Sequence, residues 1–240
     1  MKRVTLALLA MAIAAHVSGQ APAAAQKDTR PGIAVLPFEN GGSYGRDKED
    51  YAALQTGIPA LVIDELQRNP GARVVDRQTI ENLLKEQDLG TSGRVDAATA
   101  AKVGKLVGAR YDITGTFIEL GGKFKLTARI IDGETGEILK SVSNDDAMMN
   151  PNDLFKIIQS VAGKLMTETK LPPLPTQVAD AVKATKVPTE ALTLYSRALL
   201  YQDRGDKTKA TEYYSRAITA AGGPGKFTSA DEGLQRVKQS

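Results

Sequence analysis

Of the 240 residues, 42% are apolar and 25% charged, with 22 glycines and 11 prolines; collagen-like, wholly disordered and membrane-saturated chains are excluded by that balance. There is no cysteine and one histidine, His16, in a segment that reads as a removed leader, so the mature chain has no means of thiol or Ser-His catalysis, disulfides or thiolate and imidazole zinc sites. The formal charge of +3 falls toward zero without Lys2 and Arg3, and no basic cluster is interleaved with aromatics, so no nucleic-acid partner is implied.

Residues 1–25 read as a secretory signal peptide. Lys2 and Arg3 form its charged start, Val4 to Val17 its apolar run, and Ala23-Ala24-Ala25 a small-residue cleavage site. The run is shorter than the roughly 20 residues that span a bilayer, so export is expected and a retained anchor is not. Without cysteine there is no lipid anchor at the cleavage site, and no membrane-spanning segment is expected in the mature chain.

Gly32 to Phe38 is a short apolar run suited to a buried strand, with a Gly-rich loop after it. Leu54, Ile58, Leu61, Val62 and Leu66 then recur at helical spacing, with Pro59 either kinking that helix or opening its first regular turn. Asn69-Pro70-Gly71 is a turn, Arg73 to Val75 a second strand, and Asp76 the cap of a helix bearing Ile80, Leu83 and Leu84. Asp96 caps the next helix, which Gly108 closes. Tyr111 to Ile118, Lys123 to Asp132 and Glu137 to Val142, divided by Gly121-Gly122 and by Gly133 to Gly136, read as an antiparallel meander. Leu154 to Leu165 supplies a further amphipathic helix. The expected fold class is therefore mixed α/β: a βαβα start, a three-strand meander, and helices covering the sheet.

Four prolines between Lys170 and Pro188 favour an extended, stiff connector. The expected organisation is a signal at 1–25, an α/β domain at 30–170, a Pro-rich linker at 171–188 and a small all-α domain at 189–240.

Val74 to Gln87 (V-V-D-R-Q-T-I-E-N-L-L-K-E-Q), then S-G-R-V-D, A-A-K-V-G-K-L-V-G-A-R-Y-D-I-T-G-T, and A-R-I-I-D-G-E-T-G-E-I-L from Ala128 together resemble the CsgG/HfaB family, as does the opening I-A-V-L-P-F-E. The resemblance covers about Gly32 to Leu171. It implies a mixed α/β domain on the periplasmic side of the outer membrane that takes part in curli or holdfast export or assembly and is not an enzyme. The chain departs from the curli channel in lacking the lipidated cysteine. The two places where membrane hairpins would arise, around Gly121-Gly122 and between Leu139 and Asn152, are also too short for strands of about 9–11 residues, so no pore is expected. Ala191 to Ile218 is similar to one tetratricopeptide repeat, with Leu194, Ala198, Tyr201, Ala210, Tyr214 and Ala217 at packing positions and Arg197 in place of an apolar residue. A generic helical hairpin turning at Gly205-Asp206 would use the same residues.

No catalytic, cofactor-binding or metal residue is assigned. The partner-binding candidates are Tyr195, Leu199 and Gln202, on the face that such repeats use for ligands; the alternative is that this face packs on the capping helix Ser229 to Lys238 or on the α/β domain. Arg204-Gly205-Asp206, Gly225-Lys226 and the acidic group Asp145, Asp146 and Asp153 with Asn150 and Asn152 read as a turn, a loop and a solvated turn. The functional expectation is an exported, periplasmic, non-enzymatic scaffold of the cell envelope, peripheral to the outer membrane and binding envelope proteins, with self-association left open. A regulator of an envelope enzyme such as a peptidoglycan synthase is the alternative among binding proteins, and a two-carboxylate hydrolase is the one enzymatic mechanism left.

Overall fold

The computed structural model describes residues 28–42, 48–87, 96–144 and 150–239; the expected signal peptide lies outside them. Strand β1 (Gly32–Asn40) leads to helix α1 (Lys48–Gln67), the short strand β2 (Arg73–Val74) and helix α2 (Arg77–Glu86). Helix α3 (Ala97–Val107) precedes the meander of β3 (Tyr111–Leu120), β4 (Lys123–Asp132) and β5 (Ile138–Ser143). The sheet order is β2-β1-β3-β4-β5, with β1 parallel to β2 and β3 and the meander antiparallel. This is the mixed α/β architecture read from the sequence.

Alternation along the strands sorts their side chains between two cores. Ile33, Val35, Ile113, Phe117, Leu126 and Ile130 belong to the larger core, under α1 and α4 (Leu154–Glu168). Ala34, Leu36 and Ile131 belong to a smaller one, closed by Ile80 and Leu84 of α2 and Ala100 and Val103 of α3. Asp76 and Asp96 cap α2 and α3 as expected, accepting from the backbone N–H of Gln78 and Thr99 at 2.8 Å each, and Gly108 ends α3 at φ 64°.

Two expectations need correction. The first concerns α1, where a single apolar stripe was expected. Ala53, Gly57, Ala60 and Ile63 are buried as well, because one side of α1 lies on the sheet and the other on helix α6 (Thr189–Asp203). The helix begins well before Pro59, so that residue is not its first turn. The second concerns the stretch 171–188, which is not extended throughout but carries helix α5 (Thr176–Ala184). Pro175 stands at the N-cap of α5, where a missing N–H disrupts no helical bond. Both ends of the stretch are tied down: Leu171 and Val187 are buried, and Asn69 donates its amide to the Pro172 carbonyl at 2.8 Å.

Helix α6 turns through Gly205 (φ 77°) into α7 (Lys207–Ala220), and α8 (Thr228–Gln239) packs on both. The core is continuous across this boundary, running from the sheet through α1 into Leu192, Ala198, Tyr214 and Val237. Gly57 and Ser196 mark the closest approach of α1 and α6: a Cβ on Gly57 would come 1.8 Å from the Ser196 hydroxyl. Among the described residues no helix is long and apolar enough to cross a membrane.

Candidate functional site

The three candidates from the sequence come together, though not on an open face. Tyr195 and Leu199 are 3% and 2% exposed, and only Gln202 is partly open. The expected docking face is thus corrected to a surface covered from within the chain. Tyr195 packs its ring 5.0 Å from that of Phe227 and 6.0 Å from that of Tyr214, and Tyr214 donates its hydroxyl proton to Gln202 at 2.6 Å. Burial raises the Tyr195 phenol well above its ordinary range, so it stays protonated.

These three residues line a crevice of about 330 Å³. Ile63, Asp64 and Gln67 of α1 form one wall, Asp76 to Gln78 at the start of α2 another, and Ser229, Glu232 and Arg236 of α8 a third. The crevice exists because α6 is seated on α1 while α8 wraps over α6. Asp64 faces the crevice from α1. Burial raises its carboxyl, the hydrogen bond donated by Ser229 at 2.5 Å pulls it back, and the Glu232 charge raises it again. Arg77 is fixed in a two-pronged ion pair with Asp203, at 2.8 and 3.0 Å, which ties α2 to the end of α6.

A second set of charges fastens α6 to the start of α1. Arg197 reaches Asp50 and lies 3.5 Å from Glu49, and Tyr201 donates to Glu49 at 2.5 Å. This accounts for a cation where a repeat helix would carry an apolar residue. None of these partners lies near in sequence: Arg77 and Asp203 are 126 positions apart. The one local signal was Asp64-Glu65, an acidic pair in the otherwise apolar run from Ile58 to Leu66.

Asp112 of β3 is a different case. It is wholly buried, and neither carboxyl oxygen has a hydrogen-bond partner. Burial, then the nearby Asp132 charge, pushes it up to about 7.

The features set aside from the sequence behave as ordinary structure. Asp206 caps α7 by accepting from Lys209 N–H at 3.0 Å, and the Gly225 N–H goes to Asp231 at 2.9 Å. Asn150 accepts from Asn152 N–H at 2.9 Å, while Asp145 and Asp146 lie outside the described residues. Among the described residues no group of three or more His, Asp or Glu is placed to hold a metal ion.

Residues 14–127, just under half of the chain, match the family described as curli production assembly/transport component CsgG. A protein of Rhizobium meliloti (strain 1021) named "Putative adenylate cyclase 3" is 26% identical over 159 residues, which cover 66% of this chain and 23% of that protein. The chain therefore spans about a quarter of the length of that curated relative. Among solved structures, the LpoB C-terminal domain from Escherichia coli is 16% identical with a TM-score of 0.34, covering 48% of this chain and 80% of that one. The PelC dodecamer from Paraburkholderia phytofirmans is 12% identical with a TM-score of 0.36, covering 60% and 89%. Lipoprotein GNA1162 from Neisseria meningitidis is 19% identical with a TM-score of 0.36, covering 56% and 95%.

Proposed function

We propose that this chain, whose residues 14–127 match the CsgG family, is a member of that family and an exported, non-catalytic accessory protein of the cell envelope that works by binding other proteins. The observation that carries this reading is the family match itself. In detail, the reading is a signal peptide at 1–25, a periplasmic location peripheral to the outer membrane, and a part in curli-type or related export or assembly without forming a pore. A partner would enter the crevice at its mouth, where Gln202 lies beside the exposed Gln67, Gln78 and Arg236; Tyr195 and Leu199 form the floor. The α6–α7 hairpin serves as a single tetratricopeptide-like unit completed by α8.

Photo-crosslinking in intact cells tests this. A crosslinker at Gln202 or Arg236 is expected to capture an envelope protein, and one at Lys183 of α5 is not. A mature N-terminus near Gln26 is expected from the same cells. Capture of cytoplasmic proteins alone, with Met1 retained, overturns the reading. An assembly component among the captured proteins supports the curli-type role, and a peptidoglycan synthase supports a regulator of an envelope enzyme.

A two-carboxylate hydrolase is favoured by one observation, that Asp64 and Glu232 line the same crevice. Asp64 already accepts the Ser229 hydrogen bond, which counts against its acting as a free acid. Turnover of a glycan or peptide by purified protein, abolished in Asp64→Asn, would establish that reading over the binding one.

A further inference from the structure

Asp112 sits in the smaller core, where α3 crosses β3 with its least bulky residue toward the strand. A Cβ on Gly104 would come within 2.1 and 2.2 Å of the two Asp112 oxygens, and one on Gly133 would lie 3.3 Å from the nearer of them and 2.5 Å from the Ala109 carbonyl. At Gly133 the Ala109 carbonyl is what bars a side chain, whereas the Asp112 carboxyl fits because Gly104 faces it. It is sealed by α3 yet satisfied by nothing, an arrangement tolerable for a neutral acid and costly for an anion.

No charge nearby relieves it. From β4, Asp132 adds a like charge and is itself held low by the backbone N–H groups of Thr135 and Glu134. Arg110 pairs with Asp132 at 3.6 Å, and Arg73 of β2 donates to the Gly108 carbonyl at 2.5 Å. On α3, Lys102 and Lys105 are exposed. Among the described residues none of these cations bonds the Asp112 carboxyl.

We propose that α3 is a proton-held flap: with Asp112 neutral it lies closed on β3, and with Asp112 ionised it lifts, hydrating the carboxylate and baring the apolar strip of Leu36, Ile131, Ala100 and Val103. The other holds on the flap are small: the Arg73 bond to the Gly108 carbonyl at its end and the partly buried Ala97 and Val107. Its buried side chains are Ala100, Ala101 and Val103 besides Gly104, and Leu106 already stands 54% exposed. In the periplasmic location proposed above, on which this step rests, pH tracks the surroundings, so the flap would bare the strip under alkaline conditions and cover it under acidic ones.

The sign comes from linkage. A carboxyl at about 7 when closed, and at its ordinary value near 4 when open, favours opening as pH rises. Between pH 5.5 and 8.0 the open population should grow by about 30-fold. Hydrogen exchange on the full chain reads this directly. Normalised to unstructured rates, the α3 amides are expected to lose protection by that factor, while α4 holds steady and Asp112→Asn flattens the α3 response. Equal protection of α3 at both pH values, or the same fall in Asp112→Asn, overturns the flap. If Asp112→Asn fails to fold, ¹³C carboxyl titration of the wild-type chain decides. A midpoint near 7 for Asp112 supports the proposal, and one below 5 overturns it.

Discussion

Replacing Gly57 with alanine sets two effects of opposite sign against each other, and the winner reports whether the helical tail is seated on α1. On an α1 free of neighbours, glycine to alanine in mid-helix stabilises by about 1 kcal/mol, because alanine gives up less backbone entropy. With α6 in place the new Cβ would lie 1.8 Å from Ser196 Oγ, 2.5 Å from its Cβ and 3.1 Å from its Cα. Rotating the hydroxyl away breaks its 2.8 Å bond to the Leu192 carbonyl and leaves the Cβ clash untouched, so one helix must move. Overpacking of this kind costs about 1–3 kcal/mol. The net expectation is a loss of up to about 2 kcal/mol, or a fall in Tm of about 2–4 °C for each kcal/mol in a chain of this size. Urea unfolding monitored by circular dichroism measures it. Ser196→Gly removes both colliding atoms, so the double variant should recover much of the loss, with a coupling energy above about 0.5 kcal/mol. A Gly57→Ala protein that is more stable than wild type, and additive with Ser196→Gly, would refute the seating of α6 on α1 and with it the crevice.

The same interface carries further expectations. Tyr195→Ala and Leu199→Ala, each emptying a buried position, should cost about 2–5 kcal/mol in thermal or urea unfolding, and Gln202→Ala, which takes the acceptor from the buried Tyr214 hydroxyl, about 1–3 kcal/mol; near-wild-type stability of the Tyr195 and Leu199 variants would restore the open docking face. Asp203→Ala strands the guanidinium of Arg77, whose side chain is 12% exposed, and should cost up to about 3 kcal/mol, most of it recovered in the Arg77→Met, Asp203→Ala double variant. Because burial raises Asp64, the folded chain holds that proton more tightly than the unfolded one, so its share of stability is present in acid and lost as pH climbs through the folded value. Asp64→Asn should flatten that limb of the stability curve measured by unfolding. Asp132, lowered by backbone N–H groups, acts in the opposite sense, losing its share as pH falls.

What the sequence disclosed and what it hid divide along the distance over which the deciding interaction acts. Caps at Asp76, Asp96 and Gly108 were legible because a cap is a contact between residues only a few positions apart, and the meander was legible because alternation and glycine turns are local. Helix α1 was half legible: its periodicity gave the side that meets the sheet, but an apolar helix covered on two sides has no clean stripe. The connector misled because prolines signal a break in hydrogen bonding without specifying the conformation on their C-terminal side, and Pro175 opens a helix where an extended segment was expected. For Tyr195 and Leu199 the residues leave two outcomes open, a partner or cover from within the chain by the segment Ser229 to Lys238 or the α/β domain, and the structure supplies the second through α8 and α1.

The buried acids show the same division from the side of function. In α1, Asp64 was visible as an acid in an apolar run, an inconsistency between composition and period that marks a site worth inspecting. Asp112 stood in plain view in the Y-D-I-T-G-T run, one place before an inward-facing Ile113. What gives it consequence is Gly104 opposite, on a different element and eight positions away. A carboxyl whose ionisation conflicts with the packing over it couples proton concentration to the position of a helix with few other holds. That coupling needs no histidine or cysteine, and the chain has neither after residue 16: under the binding role proposed above, the chemistry lies in which surface is presented, and the proposed flap lets a single proton select between two.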